Sequence, residues 1–350
     1  YATLSYCWGG DQSTATRTHN YVDYLQGICL ASLPKTIQDA VTVARKLDLK
    51  YLWIDSMCII QDSEDHKRHE IGRMESIYYN SYITISASWA SNCHEGMLKT
   101  RKPIDTMINL PFQCANKEIG TVSMMCWGCP TRSPSIGPFD TMEYYPEKEP
   151  INDRAWTLQE SFMSRRRLIF TQFQVFWTCR DVWGSDGGRQ GRPYNEELSC
   201  QSIRKLEYAD WISIAEGYSR KDLTDPTDKL DALSSIASYF SRFLQDQYLA
   251  GLWEKELLRQ LCWRADTAYR TKFTVGTRKT KRSEVRCAPS WSFLSIMGPI
   301  TFKMPRLSAS GAALDPVCSV LGCDVEPISQ EAPFGKVSHG RLTIKGHLLQ

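Results

Sequence analysis

The sequence predicts an α/β fold in which helices cover a parallel sheet, followed by a mainly helical region and a β-rich segment. Three observations support this prediction. Short apolar runs alternate with runs of helical periodicity over residues 1–88, and such alternation is typical of parallel strands joined by helices. Helical spacing then dominates from about 192 to 261, and strand-like runs return from Ser290 onward.

The first five predicted elements are strand, helix, strand, helix and strand. Residues 1–7 form the first strand, and Pro34 opens the first helix, where its missing N–H costs little. Residues 51–54 form a compact apolar strand, and Ser63 caps the second helix. Residues 82–88 form the third strand. This order favours a parallel sheet covered by helices.

Polar and aromatic side chains follow the carboxyl ends of the first two predicted strands. In such sheets, ligands bind beyond these ends. The candidate ligand-binding residues here are Ser5, Tyr6, Trp8, Gly9, Asp55, Gln61 and Asp62. Backbone N–H groups near Trp8 would suit a phosphate group.

The middle of the chain is predicted as an insertion, a helix and a strand pair. Residues 92–149 have the loose pattern of an insertion. Asn152-Asp153 is a natural helix start, and Arg165-Arg166-Arg167 would close that helix favourably at the negative end of its dipole. Residues 168–171 and 174–179 are then predicted as strands, with the second as the partner of the first.

Two domains are predicted from the length of 350 residues. The first covers residues 1–183 and contains the insertion. The second covers 192–350, with predicted helices at 231–244 and 249–263 before its β-rich end. The chain starts at Tyr1 inside a predicted strand and ends in another strand-like run, so we expect a segment of a longer protein.

Composition excludes several classes of protein. The net charge of +3 is too small to indicate a nucleic-acid or anionic-membrane partner. The 13 Cys are odd in number and irregularly spaced, which favours a reducing compartment, and we expect a cytoplasmic protein. No apolar run has the roughly 18–20 residues of a membrane helix.

No metal site is predicted. Cys126 and Cys129 form a single CxxC pair in the irregular region, which is a weak signal for zinc or redox chemistry. His66 and His69 have a metal-ligand spacing, but the surrounding run is almost wholly polar and is typical of a solvated helix face.

Trp156 and Glu160 form the most informative pair. They are four residues apart and share one helix face. A carboxylate beside an aromatic wall is a recurring arrangement for handling a sugar or a nucleotide. An ordinary amphipathic helix, with Trp156 buried and Glu160 paired with Arg154 or Arg165, explains the spacing equally well. Both interpretations stay open at this level.

Three motifs resemble those of the fungal heterokaryon-incompatibility (HET) domain, in order. They are Tyr1 to Gly9, then Leu33-Pro34 with Tyr51 to Asp62, and then Arg154 to Glu160 with Arg166-Arg167. Residues 211–237, 248–253 and 289–292 resemble the region that follows this domain in many fungal proteins. Cys7 stands where Val is usual, and Phe293 where Trp is usual. Both replacements are apolar.

The resemblance implies a role in fungal non-self recognition and incompatibility cell death, with an incompatibility partner protein. It also implies distant similarity to TIR domains, whose sheet is flavodoxin-like. In TIR enzymes a helical Glu supports cleavage of NAD at the nicotinamide–ribose bond, and Glu160 looks like that residue. The resemblance thus implies NAD as a substrate, no bound cofactor, and a NAD-binding set that includes Arg154 and Trp156.

Two further hypotheses compete with NAD cleavage. A non-catalytic signalling module would act through self-association, with its motifs serving as core and interface. A small-molecule enzyme of fungal secondary metabolism would use the same cleft for another reaction, although no residue selects it.

Overall fold

The computed structural model describes residues 1–100, 107–113, 117–125, 149–179, 181–186, 190–191, 206–266, 280–302 and 318–346. The elements up to residue 191 are β1 (Ala2–Ser5), α1 (Tyr21–Gln26), α2 (Lys35–Lys46), β2 (Leu52–Trp53), α3 (Asp55–Cys58), α4 (Glu64–Asn80), β3 (Ile83–Ala87), β4 (Met107–Gln113), β5 (Ile119–Met125), α5 (Ala155–Met163), β6 (Arg166–Phe170), β7 (Val175–Cys179), β8 (Trp183–Ser185) and β9 (Gln190–Gly191).

The second part of the chain is helical first and β-rich later, as predicted. Its elements are α6 (Tyr208–Ser219), α7 (Asp231–Leu244), β10 (Tyr248–Leu249), β11 (Leu252–Trp253), α8 (Leu257–Gln260), β12 (Trp263–Ala265), β13 (Lys281–Arg282), β14 (Ile296–Met297), β15 (Ile300–Phe302), β16 (Cys318–Pro327) and β17 (Val337–Gly346). Cys126 and Cys129 lie outside the described residues.

Among the described residues, the central sheet has seven strands in the spatial order β2-β1-β3-β6-β7-β8-β9. The first four run parallel, as predicted. The remaining strands are antiparallel, so the predicted parallel sheet accounts for only part of the observed one. The reason lies in the turn at residues 171–174, which joins β6 to β7. A connection this short permits only an antiparallel pair, which is the strand pair that the sequence predicted.

The two faces of the parallel strands differ in chemistry. Successive residues of a strand point to opposite faces, and β1 and β3 alternate apolar residues with Ser or Thr. The apolar face packs beneath α2 through side chains that include Ala2, Leu4, Ile37, Ala40, Ile83 and Ile85. The other face carries hydroxyls, and Thr3 Oγ1 lies 2.7 Å from Thr84 Oγ1 across the two strands.

The helix that carries Trp156 and Glu160 is shorter than predicted. Asn152 and Asp153 belong to a 3₁₀ turn, and α5 begins only at Ala155, whose N–H donates to the carbonyl of Asp222. Its last residue is Met163, so the prediction that Arg165–Arg167 close it is wrong. Pairing of β6 with β3 and β7 takes Arg166 and Arg167 into the sheet instead.

A tight hairpin replaces the helix predicted at 249–263. Ala250 and Gly251 both have positive φ angles, 46° and 106°, which is the requirement of a two-residue hairpin turn. Tyr248–Leu249 and Leu252–Trp253 pair on either side of it. Only a 3₁₀ turn (Glu254–Glu256) and the single turn of α8 are helical in this segment. By contrast, the helix predicted at 231–244 is confirmed by α7.

One hydrophobic cluster joins the two predicted domains. It contains Met74 and Tyr78 of α4 and Phe162 of α5, together with Trp211 of α6 and Phe240 of α7. The division between residues 183 and 192 stays a prediction, but side chains from both sides of it share this core.

Two further features of the described residues concern their thiols and the character of their helices. The nine cysteines that the structure describes are all free thiols. No helix in the described part of the chain combines the length and apolar character that a membrane span requires.

Candidate functional site

The site lies at the carboxyl end of β1, which runs between β2 and β3 in the sheet. The chain crosses to one side for β2 and to the other for β3, and such points of reversal are where open α/β sheets bind ligands. Ser5 ends β1, and Trp8 follows shortly after. Asp55 begins α3 directly beyond β2, and α5 brings Glu160 to the same place. The structure therefore brings four of the predicted residues together at the carboxyl end of β1: Ser5, Trp8, Asp55 and Glu160.

Glu160 is the most buried carboxylate of this group, with 5% of its surface exposed. Its Oε2 accepts the Ser5 hydroxyl, and the Tyr78 hydroxyl also bonds to its side chain. Burial and then the charge of Asp55 raise the pKa of Glu160 to about 7, against the opposing effects of Ser5, Arg154 and Tyr78. Near neutral pH, this carboxyl group is therefore present in both protonation states.

Asp55 is the second carboxylate, and donors surround it. Trp8 Nε1 donates to Asp55 Oδ2 at 2.8 Å, and Ser56 N donates to Oδ1 at 2.7 Å. Burial raises the pKa of Asp55, although Arg154 and Trp8 oppose the shift. Arg154 donates to the Tyr6 carbonyl, so its guanidinium is fixed at the end of β1 within electrostatic range of Asp55 and Glu160.

Tyr6 and Cys7 complete the inner wall. The Tyr6 hydroxyl donates to Ser56 Oγ at 2.7 Å, and Gln12 Nε2 donates to the Tyr6 hydroxyl at 2.9 Å. Burial raises the pKa of Tyr6 above its usual range. Burial also raises the pKa of the Cys7 thiol to about 11, despite the nearby Arg154. Cys7 is thus protonated at neutral pH and is no candidate nucleophile.

Three residues of the predicted set serve elsewhere. The Gln61 amide donates to the carbonyls of Asp55 and Ile59, both at 3.0 Å, so it stabilises the backbone around α3. Asp62 is exposed and accepts from the N–H and hydroxyl of Thr18. Trp156 is partly buried and packs against the large hydrophobic cluster. Of the two tryptophans in the predicted set, Trp8 is the one that contacts a site carboxylate.

The substitution Gly9→Ala tests the backbone that follows Trp8. Gly9 has φ of 76°, and a Cβ there would lie 2.0 Å from Asn92 Cβ. Gly10 also has a positive φ, 136°, but a Cβ there meets nothing within 4 Å. We expect Gly9→Ala to cost about 1–3 kcal/mol more of unfolding free energy than Gly10→Ala, because it adds a clash to backbone strain. Chemical denaturation of both variants measures the difference, and equal losses would contradict the clash.

A polar cleft adjoins the site, and the sequence-based candidates included only its Ser5. It lies between β1, β3, β6 and the N-terminal part of α5, and its cavity volume of about 20 Å³ is room for about one water molecule. Its hydroxyl-bearing residues are Ser5, Thr84, Ser86, Ser88, Thr157 and Ser161. The alternation of apolar residues with Ser and Thr in β1 and β3 was the available signal. Tyr78 gave none, since it belongs to the apolar stripe of α4.

Among the described residues, no group of three or more His, Cys, Asp or Glu side chains could hold a metal ion. His66 Nδ1 instead accepts from the backbone N–H of Ile60 at 3.3 Å.

Residues 1–160 match the family model described as heterokaryon incompatibility protein (HET). The matched range supports a heterokaryon incompatibility domain that contains β1 to β3 and reaches Glu160. Comparisons with curated proteins and with solved structures gave no match.

Proposed function

We propose that this chain acts in heterokaryon incompatibility and that its site cleaves NAD at the nicotinamide–ribose bond, with cell death following from loss of NAD. The family match over residues 1–160 supports the first part. The second part depends on one observation. The buried carboxylate of Glu160 lies at the point of strand reversal, bonded to Ser5, with a pKa raised to about 7.

Glu160 would stabilise the reaction's transition state. The C1′–N bond breaks, nicotinamide leaves with the bonding electrons, and C1′ gains oxocarbenium character, which a nearby carboxylate stabilises. Water then adds to C1′, a proton is released, and the products are ADP-ribose and nicotinamide. Ser5 and Tyr78 hold the carboxylate in place through hydrogen bonds, and Trp8, fixed by Asp55, offers an aromatic surface for a ring.

The strand order is consistent with this proposal. The four parallel strands of the sheet are β2, β1, β3 and β6. Numbered along the chain, they follow the order 2-1-3-4, which is the start of the flavodoxin-like arrangement. The antiparallel strands β7 to β9 depart from that arrangement.

Purified protein should release nicotinamide from NAD, and Glu160→Gln should reduce the rate at least about 100-fold, as loss of a transition-state-stabilising group does. Glu149→Gln is a matched control, because Glu149 is also 5% exposed and accepts from Gln172 N at a different place. Liquid chromatography of nicotinamide and ADP-ribose measures the rates. Unchanged turnover in Glu160→Gln would exclude this role for Glu160.

A non-catalytic assembly module is the second candidate function. One observation favours it: the Glu160 carboxylate is buried and already bonded to Ser5 and Tyr78, as a structural carboxylate would be. Sedimentation at rising concentration together with a cell-death assay separates the two functions. Self-association combined with full killing by Glu160→Gln would favour assembly, and a strictly monomeric protein would oppose it.

A further inference from the structure

The segment that leads into α5 is held by residues from outside the matched family region. The bridge segment, residues 220–222 after α6, pairs with it as a parallel bridge between Arg154 and Asp222. The Asp222 N–H donates to the Asp153 carbonyl, and the Ala155 N–H donates to the Asp222 carbonyl at 2.8 Å. These two bonds lie on either side of Arg154, so they fix the position of its Cα and the direction of its side chain.

The bridge also supplies an acceptor that the start of α5 needs. The first N–H groups of a helix have no partner within it, and a side-chain oxygen at the N-cap usually accepts from one of them. The N-cap of α5 is Arg154, whose guanidinium has only donors. The Asp222 carbonyl accepts from Ala155 in place of a capping side chain. The Arg154 guanidinium in turn donates to the Tyr6 carbonyl at the end of β1.

Two side-chain contacts add to this attachment. Lys221 Nζ donates to the Asn152 carbonyl at 2.6 Å, two residues before Arg154. The buried Gln159 accepts the N–H of Ser235 in α7 through its Oε1 at 2.9 Å. Because Gln159 directly precedes the site carboxylate, α5 is bonded to the later part of the chain both where it begins and beside the site.

We propose that the bridge segment positions the site, with Lys221 and Asp222 as positioning residues that act on Glu160 through Arg154. The family match ends at residue 160, so the site depends on residues beyond the matched region. Displacing the bridge segment would disable the site without touching it, and this segment is therefore where the second predicted domain can control the first. The catalytic meaning of this control rests on the proposed function, whereas the positioning can be tested without it.

The ionisation of Glu160 reports on the position of Arg154 without any turnover. The groups with the largest effects on this carboxyl are Asp55, Ser5, Arg154 and Tyr78, and Arg154 is the positively charged one among them. If the guanidinium moves away, the pKa of Glu160 rises further. Carbon-13 NMR titration of the intact chain measures the midpoint, and the Glu160 signal is identified by its loss in Glu160→Gln.

Two substitutions of Asp222 isolate its backbone N–H. Asp222→Pro removes the N–H that donates to Asp153, whereas Asp222→Ala keeps it, and both variants lose the same exposed carboxylate. We expect the Glu160 midpoint to lie at least about 0.5 pH unit higher in Asp222→Pro, because a neighbouring guanidinium lowers a carboxyl pKa by about 1 or more. Equal midpoints in the two folded variants would overturn the assignment.

A double-mutant cycle on Lys221 decides the matter even if Asp222→Pro does not fold. Lys221→Met removes the donor to the Asn152 carbonyl and should raise the Glu160 midpoint. In an Arg154→Met background the same substitution should leave the midpoint unchanged, because an effect transmitted through Arg154 vanishes in its absence. An equal rise in both backgrounds would show a direct charge effect of Lys221, and this result or an unchanged midpoint in the wild-type background would overturn the positioning role.

Lys255→Met is the matched control for Lys221→Met. Lys255 Nζ also donates to a backbone carbonyl at 2.6 Å, but this carbonyl belongs to Gln245 at the end of α7. The control should leave the Glu160 midpoint unchanged. A rise as large as that in Lys221→Met would contradict a specific role of the bridge segment.

The two proposals fail separately. A higher Glu160 midpoint in Asp222→Pro than in Asp222→Ala, without nicotinamide release by the wild type, would support the positioning and overturn the proposed function. Nicotinamide release with equal midpoints and equal rates in the two variants would overturn the positioning and leave the proposed function in place. If both proposals hold, Asp222→Pro should release nicotinamide at least about tenfold more slowly than Asp222→Ala, because small displacements in a site cause large losses of rate.

Discussion

We expect Phe162→Ala to lower the free energy of unfolding by about 3–5 kcal/mol. Phe162 is 1% exposed, and its ring centre lies 5.7 Å from that of Tyr239 and 6.1 Å from that of Phe240. Truncation removes a large apolar side chain and leaves a cavity between α5 and α7. Since α5 belongs to the first predicted domain (residues 1–183) and α7 to the second (192–350), this contact joins the two predicted domains.

Phe243→Ala is the matched control, because Phe243 also neighbours Tyr239, with ring centres 5.2 Å apart, but is 45% exposed. It should cost less than about 1 kcal/mol. Denaturant unfolding with hydrogen exchange of amides in α4 and α7 measures both variants. If the shared core makes one cooperative unit, Phe162→Ala lowers protection equally in both helices. Loss of protection in α7 with full retention in α4 would show two independent domains.

The elements predicted well from sequence are those determined by local signals. Ser63 caps α4, where its Oγ accepts from the N–H of His66 at 3.3 Å, and the apolar runs at β1, β2 and β3 pair as parallel strands. Spacing and capping are sufficient for such elements because their evidence lies within a few residues. The prediction of a site at the end of β1 uses the same kind of local evidence, because it depends only on where that strand ends.

The errors arise where distant contacts override local propensity. The arginines after α5 are suitable for a helix end, yet β3 and β7 draw Arg166 and Arg167 into strand pairing. The spacing predicts a helix that includes Ala250 and Gly251, but Ala250 adopts the left-handed conformation that a hairpin turn requires. Neither outcome is visible in a window of one element. Arg167 pairs with Thr84 of the distant β3. The hairpin turn accepts hydrogen bonds from distant side chains, from Trp211 Nε1 to the Gly251 carbonyl at 2.9 Å and from Ser292 Oγ to the Ala250 carbonyl at 2.6 Å.

The site was predicted only in part for the same reason. Ser5 and Asp55 follow strand ends, so the strand rule locates them. Glu160 is 155 residues from Ser5 in sequence, and helical spacing alone pairs it with Trp156. The structure instead turns Glu160 toward Ser5 and Tyr78, while Trp156 packs against the hydrophobic cluster. Spacing marks Glu160 only as the partner of Trp156 on one helix face, and the catalytic role comes from the similarity to TIR domains that the HET resemblance implies.

Glu160 should make the stability of this protein depend on pH. Its pKa is about 7 in the folded state against an ordinary value of 4.5. Between these values the folded state keeps a proton that the unfolded state has released, so rising pH favours unfolding. We expect a loss of about 3 kcal/mol between pH 4.5 and 7, with no further loss above that. Glu160→Gln lacks this titration, so the difference in unfolding free energy between wild type and variant should change by about that amount.

Asp55, the charged neighbour of Glu160, allows a sharper test of the raised pKa of Glu160. Asp55 contributes to the raised pKa of Glu160 through its charge, whereas Arg154 and Tyr78 oppose the rise. In an Asp55→Asn background, the pKa of Glu160 should fall and the pH-dependent loss of stability should shrink. If Glu160 also acts on NAD as a carboxylate, nicotinamide release should rise through about pH 7. The contribution of the protonated Glu160 to stability is lost by the same pH. With rising pH, the free energy of unfolding should fall and nicotinamide release should rise, and both changes come from the ionisation of Glu160. If the difference in unfolding free energy between wild type and Glu160→Gln did not change with pH, the raised pKa of Glu160 would be contradicted.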